Sequence, residues 1–165
     1  MSPRMFTYDR VKEADRIARG VDHCKSAGSV YELGSLISDG VIRDPANRSI
    51  TLTAGRSLAD RRRVLLYAVG ENFEIRVGFD GRRGTPNAVK HETLFHNADV
   101  RAAGELEVDG GVIVEVGDVS GTYGTPGRIQ TDDSFATAVL IALDRIEAPL
   151  ESAERRRLRR RAGRL

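Results

Sequence analysis

The chain has 165 residues, of which 40% are hydrophobic and 30% charged, and its net charge is +2. This length suits one domain with a buried core, and the composition is ordinary for a soluble globular protein. No segment approaches the roughly 18 apolar residues of a membrane-spanning helix, and the N-terminus lacks the apolar core of a signal peptide. The single cysteine, Cys24, excludes an internal disulfide and favours a cytoplasmic location.

The N-terminal part predicts two helices. Asp9 is suited to cap the first, because apolar residues recur behind it at steps of three and four up to Val21. A second, shorter apolar face begins at Val30 and includes Leu33 and Leu36, and the Asp39-Gly40 pair ends it.

The middle of the chain predicts an antiparallel sheet of five or six strands. Apolar residues alternate with polar ones in several segments, the run from Arg63 to Val69 suits a central strand, and Asp109-Gly110-Gly111 is a strong hairpin signal. The predicted strands are 49–53, 63–69, 73–77, 100–108 and 112–116.

The best helix of the chain follows Thr131, where apolar residues keep the 3.6-residue period from Phe135 to Ile146 and Pro149 ends the pattern. The expected fold is therefore α+β, with two N-terminal helices and one long C-terminal helix packed on the sheet. We expect residues 1–150 to form one domain and residues 151–165 to form a basic tail, either helical or frayed.

Six short motifs follow one another between about residue 64 and 147: FEIRVG at 73–78, HETLF at 91–95, AAGE at 102–105, DGG at 109–111, SGTY at 120–123 and TDDSF at 131–135. In their order and spacing this segment resembles a module of the plant IQ-motif-containing calmodulin-binding proteins, also found in bacterial toxin- or effector-like proteins. Two departures from the family pattern are Glu92-Thr93, where the pattern has Ser-Ser, and Thr122, where it has a second histidine. No IQ motif is visible, so calmodulin binding does not carry over.

Four side chains in this segment are candidates for a catalytic site: His91, Glu105, Ser120 and Tyr123. Together they would supply a base, an orienting acid and hydroxyl donors for hydrolysis or group transfer. The alternative is structural, with Glu105 at a strand edge and Tyr123 capping the sheet.

The histidine spacing does not suit a metal site. His91 and His96 are five residues apart, which places their rings about 140° apart on a helix and on opposite faces of a strand. We therefore expect neither a zinc site nor a cofactor.

The C-terminal segment is strongly basic. The last eleven residues carry seven arginines and no acidic residue. Because the net charge of the whole chain is +2, the first 154 residues carry a net charge of −5. The segment contacts a polyanion, giving weak non-specific binding of nucleic acid, or is a solvated, partly frayed helix end whose charge aids solubility, or docks on the acidic body of the chain. The candidate contact residues are Arg155, Arg156, Arg157, Arg159, Arg160 and Arg161.

Two hypotheses on function remain open. The first is a binding or regulatory domain that recognises a protein or small ligand through the 90–123 region, and it is favoured by the two departures from the family pattern. The second is a small toxin- or effector-type hydrolase or transferase centred on His91.

Overall fold

The fold is known from a computed structural model, which describes residues 4–6, 30–44, 63–79, 94–96, 98–118 and 134–163. These residues form an antiparallel five-stranded sheet, a two-stranded sheet and two helices. The strands are β1 Val30–Glu32, β2 Ile37–Ser38, β3 Val41–Ile42, β4 Arg63–Val69, β5 Ile75–Phe79, β6 Ala102–Asp109 and β7 Val112–Val116. The helices are α1 Ser134–Arg145 and α2 Ser152–Ala162, and a 3-10 helix spans Leu33–Leu36.

The larger sheet has the strand order β1-β5-β4-β6-β7, which confirms the prediction that β4 is central. Successive side chains of a strand point to opposite faces of the sheet. Leu65, Tyr67 and Val69 therefore share one face, and they are buried in the same apolar core as α1. Ala68 lies on the other face, where it packs with the aromatic ring of Phe95 and other apolar side chains.

The predicted hairpin between β6 and β7 is confirmed. Gly110 and Gly111 both have positive φ angles, +60° and +81°, which glycine adopts at little steric cost. Gly111 also needs its small size, because a Cβ there would lie 2.7 Å from the side chain of Val41. The Ile42 N–H donates to the Gly111 carbonyl at 2.8 Å, so the small β2–β3 hairpin is bonded to this turn.

Helix α1 packs on the sheet with one apolar face, as the 3.6-residue period predicts. The helix ends before Pro149, since Glu147 has a left-handed φ of +50° and the Ala148 N–H returns to the Leu143 carbonyl at 3.0 Å. The fully buried side chains of this face are Phe135, Ala138, Val139, Ala142 and Leu143.

The predicted second N-terminal helix is wrong. Val30 begins strand β1, and Leu33 and Leu36 lie in the 3-10 helix, where residues three apart share a side and both can reach the core. Asp39 and Gly40 both have positive φ, +53° and +75°, so this pair is a hairpin turn and not a helix end. Both described helices are C-terminal, and the other N-terminal predictions, the helix behind Asp9 and the strand at 49–53, fall outside the described residues.

The basic segment is helical and not frayed over Ser152–Ala162. Leu158 is fully buried and belongs to the same core as the inner face of the sheet. The chain leading into α2 also covers the free edge of β7, because the Ile113 N–H donates to the Pro149 carbonyl and the Glu151 N–H donates to the Ile113 carbonyl. Covering an edge strand in this way blocks its pairing with another chain.

No helix in the described part of the chain is both long and apolar enough to cross a membrane.

Candidate binding cleft and the predicted site residues

Only one of the four predicted catalytic residues lies in the described part of the chain. Glu105 is in the middle of β6, half-buried, on the face of the sheet opposite Leu106 and the α1 core. His91, Ser120 and Tyr123 fall outside the described residues, and convergence of the four side chains therefore stays a prediction.

The small residues before Glu105 have a structural role. A Cβ on Gly104 would lie 2.0 Å from the carbonyl oxygen of Gly117, so only glycine fits where these two backbones approach. The buried hydroxyl of Tyr67 donates to the same oxygen at 2.8 Å. Burial raises the pKa of Tyr67 far above its ordinary value, and the nearby carboxylate of Asp118 raises it further. This group is therefore a fixed hydrogen-bond donor and not an acid.

A cleft lies at another end of the sheet, between the 3-10 helix, the β4–β5 turn and the end of α1. Its volume is about 270 Å³. Its walls are Glu32, Gly34, Asn72, Phe73, Glu74, Ile75, Arg145 and Ile146. The lining thus combines three apolar side chains with carboxylates, an amide and a guanidinium.

Phe73 projects from the β4–β5 turn in an unfavourable backbone conformation. The Phe73 N–H donates to the Gly70 carbonyl at 3.1 Å, and the Gly70 N–H donates to the Glu74 carbonyl at 2.9 Å, which closes the turn. This geometry gives Phe73 a left-handed φ of +63°, where a bulky side chain is an outlier and costs about 1–2 kcal/mol. Such outliers cluster at functional sites.

Two arginines hold this turn. The guanidinium of Arg101 lies 4.6 Å from the centre of the Phe73 ring and that of Arg145 lies 5.3 Å from it, within the range of cation–π attraction. Each arginine also donates to a carbonyl of the turn, Arg101 to Glu71 at 2.7 Å and Arg145 to Asn72 at 2.5 Å. These contacts fix the aromatic ring at the cleft although its backbone is strained.

The acidic side of the cleft carries one carboxylate without an ionic partner. Glu32 is paired with Arg76 at 3.0 Å. Glu74 forms no ion pair or side-chain hydrogen bond with any residue that the structure describes. The carboxylate of the half-buried Glu74 lies against Gly70 and the ring of Phe95, since a Cβ on Gly70 would lie 2.7 Å from Glu74 Oε1 and 2.5 Å from Phe95.

The six arginines predicted to contact a polyanion divide into two groups of three. Arg157 is paired with the buried carboxylate of Glu154, and this hydrogen bond raises the pKa of its guanidinium. Arg155 pairs with Asp144 at 2.6 Å. Arg161 pairs with Asp118 at 3.4 Å and lies 4.4 Å from the centre of the Phe135 ring.

The other three, Arg156, Arg159 and Arg160, are exposed and form no ion pair within the described ranges. Three of the six candidate arginines thus pair with carboxylates of the chain itself, and the other three face solvent.

No group of three potential metal-ligating side chains occurs among the residues described. His96 is exposed, and His91 lies outside the described residues.

No family model, curated protein or solved structure matches the chain. The resemblance of residues 64–147 to the module of the IQ-motif proteins therefore stays a prediction.

The cleft was not predicted from the sequence. Its one local signal is Phe73 itself, an aromatic residue that follows the turn residues Gly70-Glu71-Asn72 at a position where glycine would be expected. The partners of this ring, Arg101 and Arg145, are 28 and 72 residues away in the sequence. The fold brings these arginines to the ring, and no short sequence motif predicts their contact with it.

Proposed function

We propose that the chain is a small binding domain that recognises a segment of a partner protein through the cleft beside Phe73. The observation that carries this proposal is the strained backbone of Phe73, whose ring is held at the cleft by Arg101 and Arg145. Aromatic and arginine side chains dominate the binding energy of many protein interfaces.

The size of the cleft supports a side chain as its occupant. Sites for small ligands and cofactors usually have volumes of about 300–1,000 Å³. At about 270 Å³ this cleft falls below that range and suits one large apolar side chain. Phe73, Ile75 and Ile146 supply the apolar surface against which such a side chain would pack.

The charge of the cleft suggests that, in the ligand, a basic residue stands next to that apolar side chain. Glu74 borders the cleft and has no ionic partner among the described residues, and a lysine or arginine of the ligand that reaches its carboxylate beside Gly70 would neutralise it. Electrostatic complementarity of this kind contributes mainly specificity and association rate. The ligand is therefore a short peptide segment with a large apolar residue next to a basic one.

Residues of the 90–123 region contact the β4–β5 turn through Arg101, which donates to the Glu71 carbonyl, and through Phe95, whose ring lies against Gly70. The alternative of a hydrolase or transferase centred on His91 stays a prediction, because Glu105 is its one described member. We place the domain in the cytoplasm, where the lone Cys24 would stay reduced.

A peptide selection tests the proposal. A random peptide library displayed on phage is selected against the immobilised full chain, and recovered peptides are tested against the chain and its Ile146→Ala variant. We expect sequences that pair a large apolar residue with lysine or arginine, and at least tenfold weaker binding to the variant. The proposal fails if recovered peptides lack that pattern or bind both proteins equally.

A further inference from the structure

The exposed face of α2 is a continuous cationic surface. Successive residues of an α-helix are about 100° apart. Relative to Glu154, which is buried, Arg159, Arg156 and Arg160 therefore lie at about 140°, 200° and 240°, on the side opposite the core. They span little more than one helical turn, with neighbouring Cβ atoms about 5–6 Å apart. We call these three residues the arginine face.

Within the described part of the chain, no carboxylate forms an ion pair with Arg156, Arg159 or Arg160. The nearby carboxylates of Asp144, Glu154 and Asp118 are each engaged by an arginine on another side of the helix. Three like charges placed this closely repel one another. An external polyanion would relieve that repulsion, which is a charge-complementarity argument for a specific class of partner.

The chemistry of the face narrows the class of polyanion. Among the described residues, the exposed neighbours of these arginines on the same side of the helix are Ser152, Ala153 and Gly163, so this side has neither an aromatic ring for stacking on unpaired bases nor a large apolar side chain for insertion into lipid. Leu158, the leucine of this helix, is fully buried. Repeated phosphates of a duplex need only cationic contacts, and a duplex presents one negative charge per about 1.7 Å of its axis.

We propose that the arginine face binds the phosphate backbone of a double-stranded nucleic acid without sequence preference. Contacts to phosphates position a protein on a duplex and carry no sequence information. This surface is separate from the cleft beside Phe73, and the inference does not depend on the function proposed for that cleft.

Fluorescence anisotropy of the full chain with a labelled DNA duplex tests the inference at several salt concentrations. Each phosphate contact contributes a slope of about −0.9 to the plot of log affinity against log salt. The triple substitution Arg156→Gln, Arg159→Gln and Arg160→Gln should therefore make the slope shallower by about 2.7. Three such contacts correspond to an affinity that falls about 40-fold between 50 and 200 mM salt.

Two further variants separate this face from net charge and from folding. Arg155→Gln with Arg161→Gln removes two docked arginines, and it should lower the melting temperature while leaving the salt slope nearly unchanged. Ser152→Arg adds a fourth cation about one turn before Arg156 on the same side of the helix, and it should steepen the slope by about 0.9.

The inference is overturned if the Arg156, Arg159 and Arg160 triple variant binds the duplex with an unchanged slope. It is also overturned if the full chain binds vesicles of anionic phospholipid tightly at a salt concentration where it does not bind the duplex, since a lipid surface would then be the partner. A duplex of different sequence should give the same affinity, and strong sequence preference would equally contradict it.

Discussion

The buried carboxylate of Glu154 accepts a hydrogen bond from the Val116 N–H at 2.6 Å, and this bond joins helix α2 to the outer strand β7. The guanidinium of Arg157 donates to the carbonyl of the same Val116 at 2.7 Å and also contacts Glu154. Both polar backbone groups of Val116 are thus satisfied by one turn of α2. The basic segment is consequently attached to the sheet by its own charges as well as by Leu158.

Replacing Glu154 by alanine should lower the free energy of unfolding by about 2–3 kcal/mol, because it leaves the Val116 N–H without an acceptor and Arg157 without its ionic partner. Urea denaturation measures the change. Glu151→Ala is the control, since this exposed residue precedes the same helix and its side chain makes no capping bond. The control should change stability by less than about 0.5 kcal/mol. Equal effects of the two substitutions would refute the role given to Glu154.

Replacing Val139 by aspartate should cost about 4 kcal/mol or more, because the carboxylate would be buried without a partner in the core between α1 and the sheet. Thr137→Asp introduces the same side chain on the same helix at a half-exposed position, and it should be far milder. Melting temperatures of the two variants provide the comparison. Similar values for both would show that this face of α1 is not packed as described.

The strained backbone of Phe73 predicts that glycine at this position is more stable than alanine, which reverses the usual order of stability. At a φ of +63°, glycine fits better than alanine, so Phe73→Gly should be more stable than Phe73→Ala by about 1 kcal/mol. In an ordinary extended or helical position glycine would be the less stable of the two. Urea denaturation of both variants measures the difference, and alanine being the more stable would mean that the left-handed backbone is not populated in solution.

The buried hydroxyl of Tyr67 predicts a loss of stability at alkaline pH. Its folded pKa is raised above the ordinary value of 10.0, so its contribution is fully present below pH 10 and declines above it, where the unfolded chain ionises first. Tyr67→Phe should be less stable by about 1 kcal/mol at pH 7, since the bond to the Gly117 carbonyl is lost. The stability of the native chain relative to this variant should then decrease by about 1 kcal/mol between pH 10 and 11. Denaturation at pH 7, 10 and 11 measures the gap, and a constant gap would contradict the burial of this hydroxyl.

Much of the described fold follows from local sequence patterns. Strand β4 follows from a continuous apolar run, and the β6–β7 hairpin combines apolar strand residues with a turn that only glycine-rich sequences adopt easily, so that two signals agree at the hairpin. The prediction failed at Val30–Leu36, where a three-residue apolar spacing suits both an α-helix and a 3-10 helix. Asp39-Gly40 was the signal that should have favoured a hairpin there.

The candidate site was much less predictable. Gly104, just before the candidate Glu105, accommodates the chain's own Gly117 carbonyl, a contact that its short motif does not reveal. The cleft depends on contacts of Phe73 with two distant arginines, and such contacts leave no periodic signal. Which C-terminal arginines are docked and which are exposed likewise depends on which side of α2 faces the core, and this becomes known only from the structure.

The most direct test of the proposed binding function is a heteronuclear NMR titration of the full chain with a peptide recovered from the selection. The largest shift changes should fall on the backbone amides of Asn72, Phe73, Glu74 and Ile146 at the cleft. In the same titration, the Phe73→Gly variant, which keeps the turn but lacks the ring, should bind the peptide at least tenfold more weakly. Largest changes along Gly104–Val116, or unchanged affinity without the ring, would contradict a binding site at this cleft.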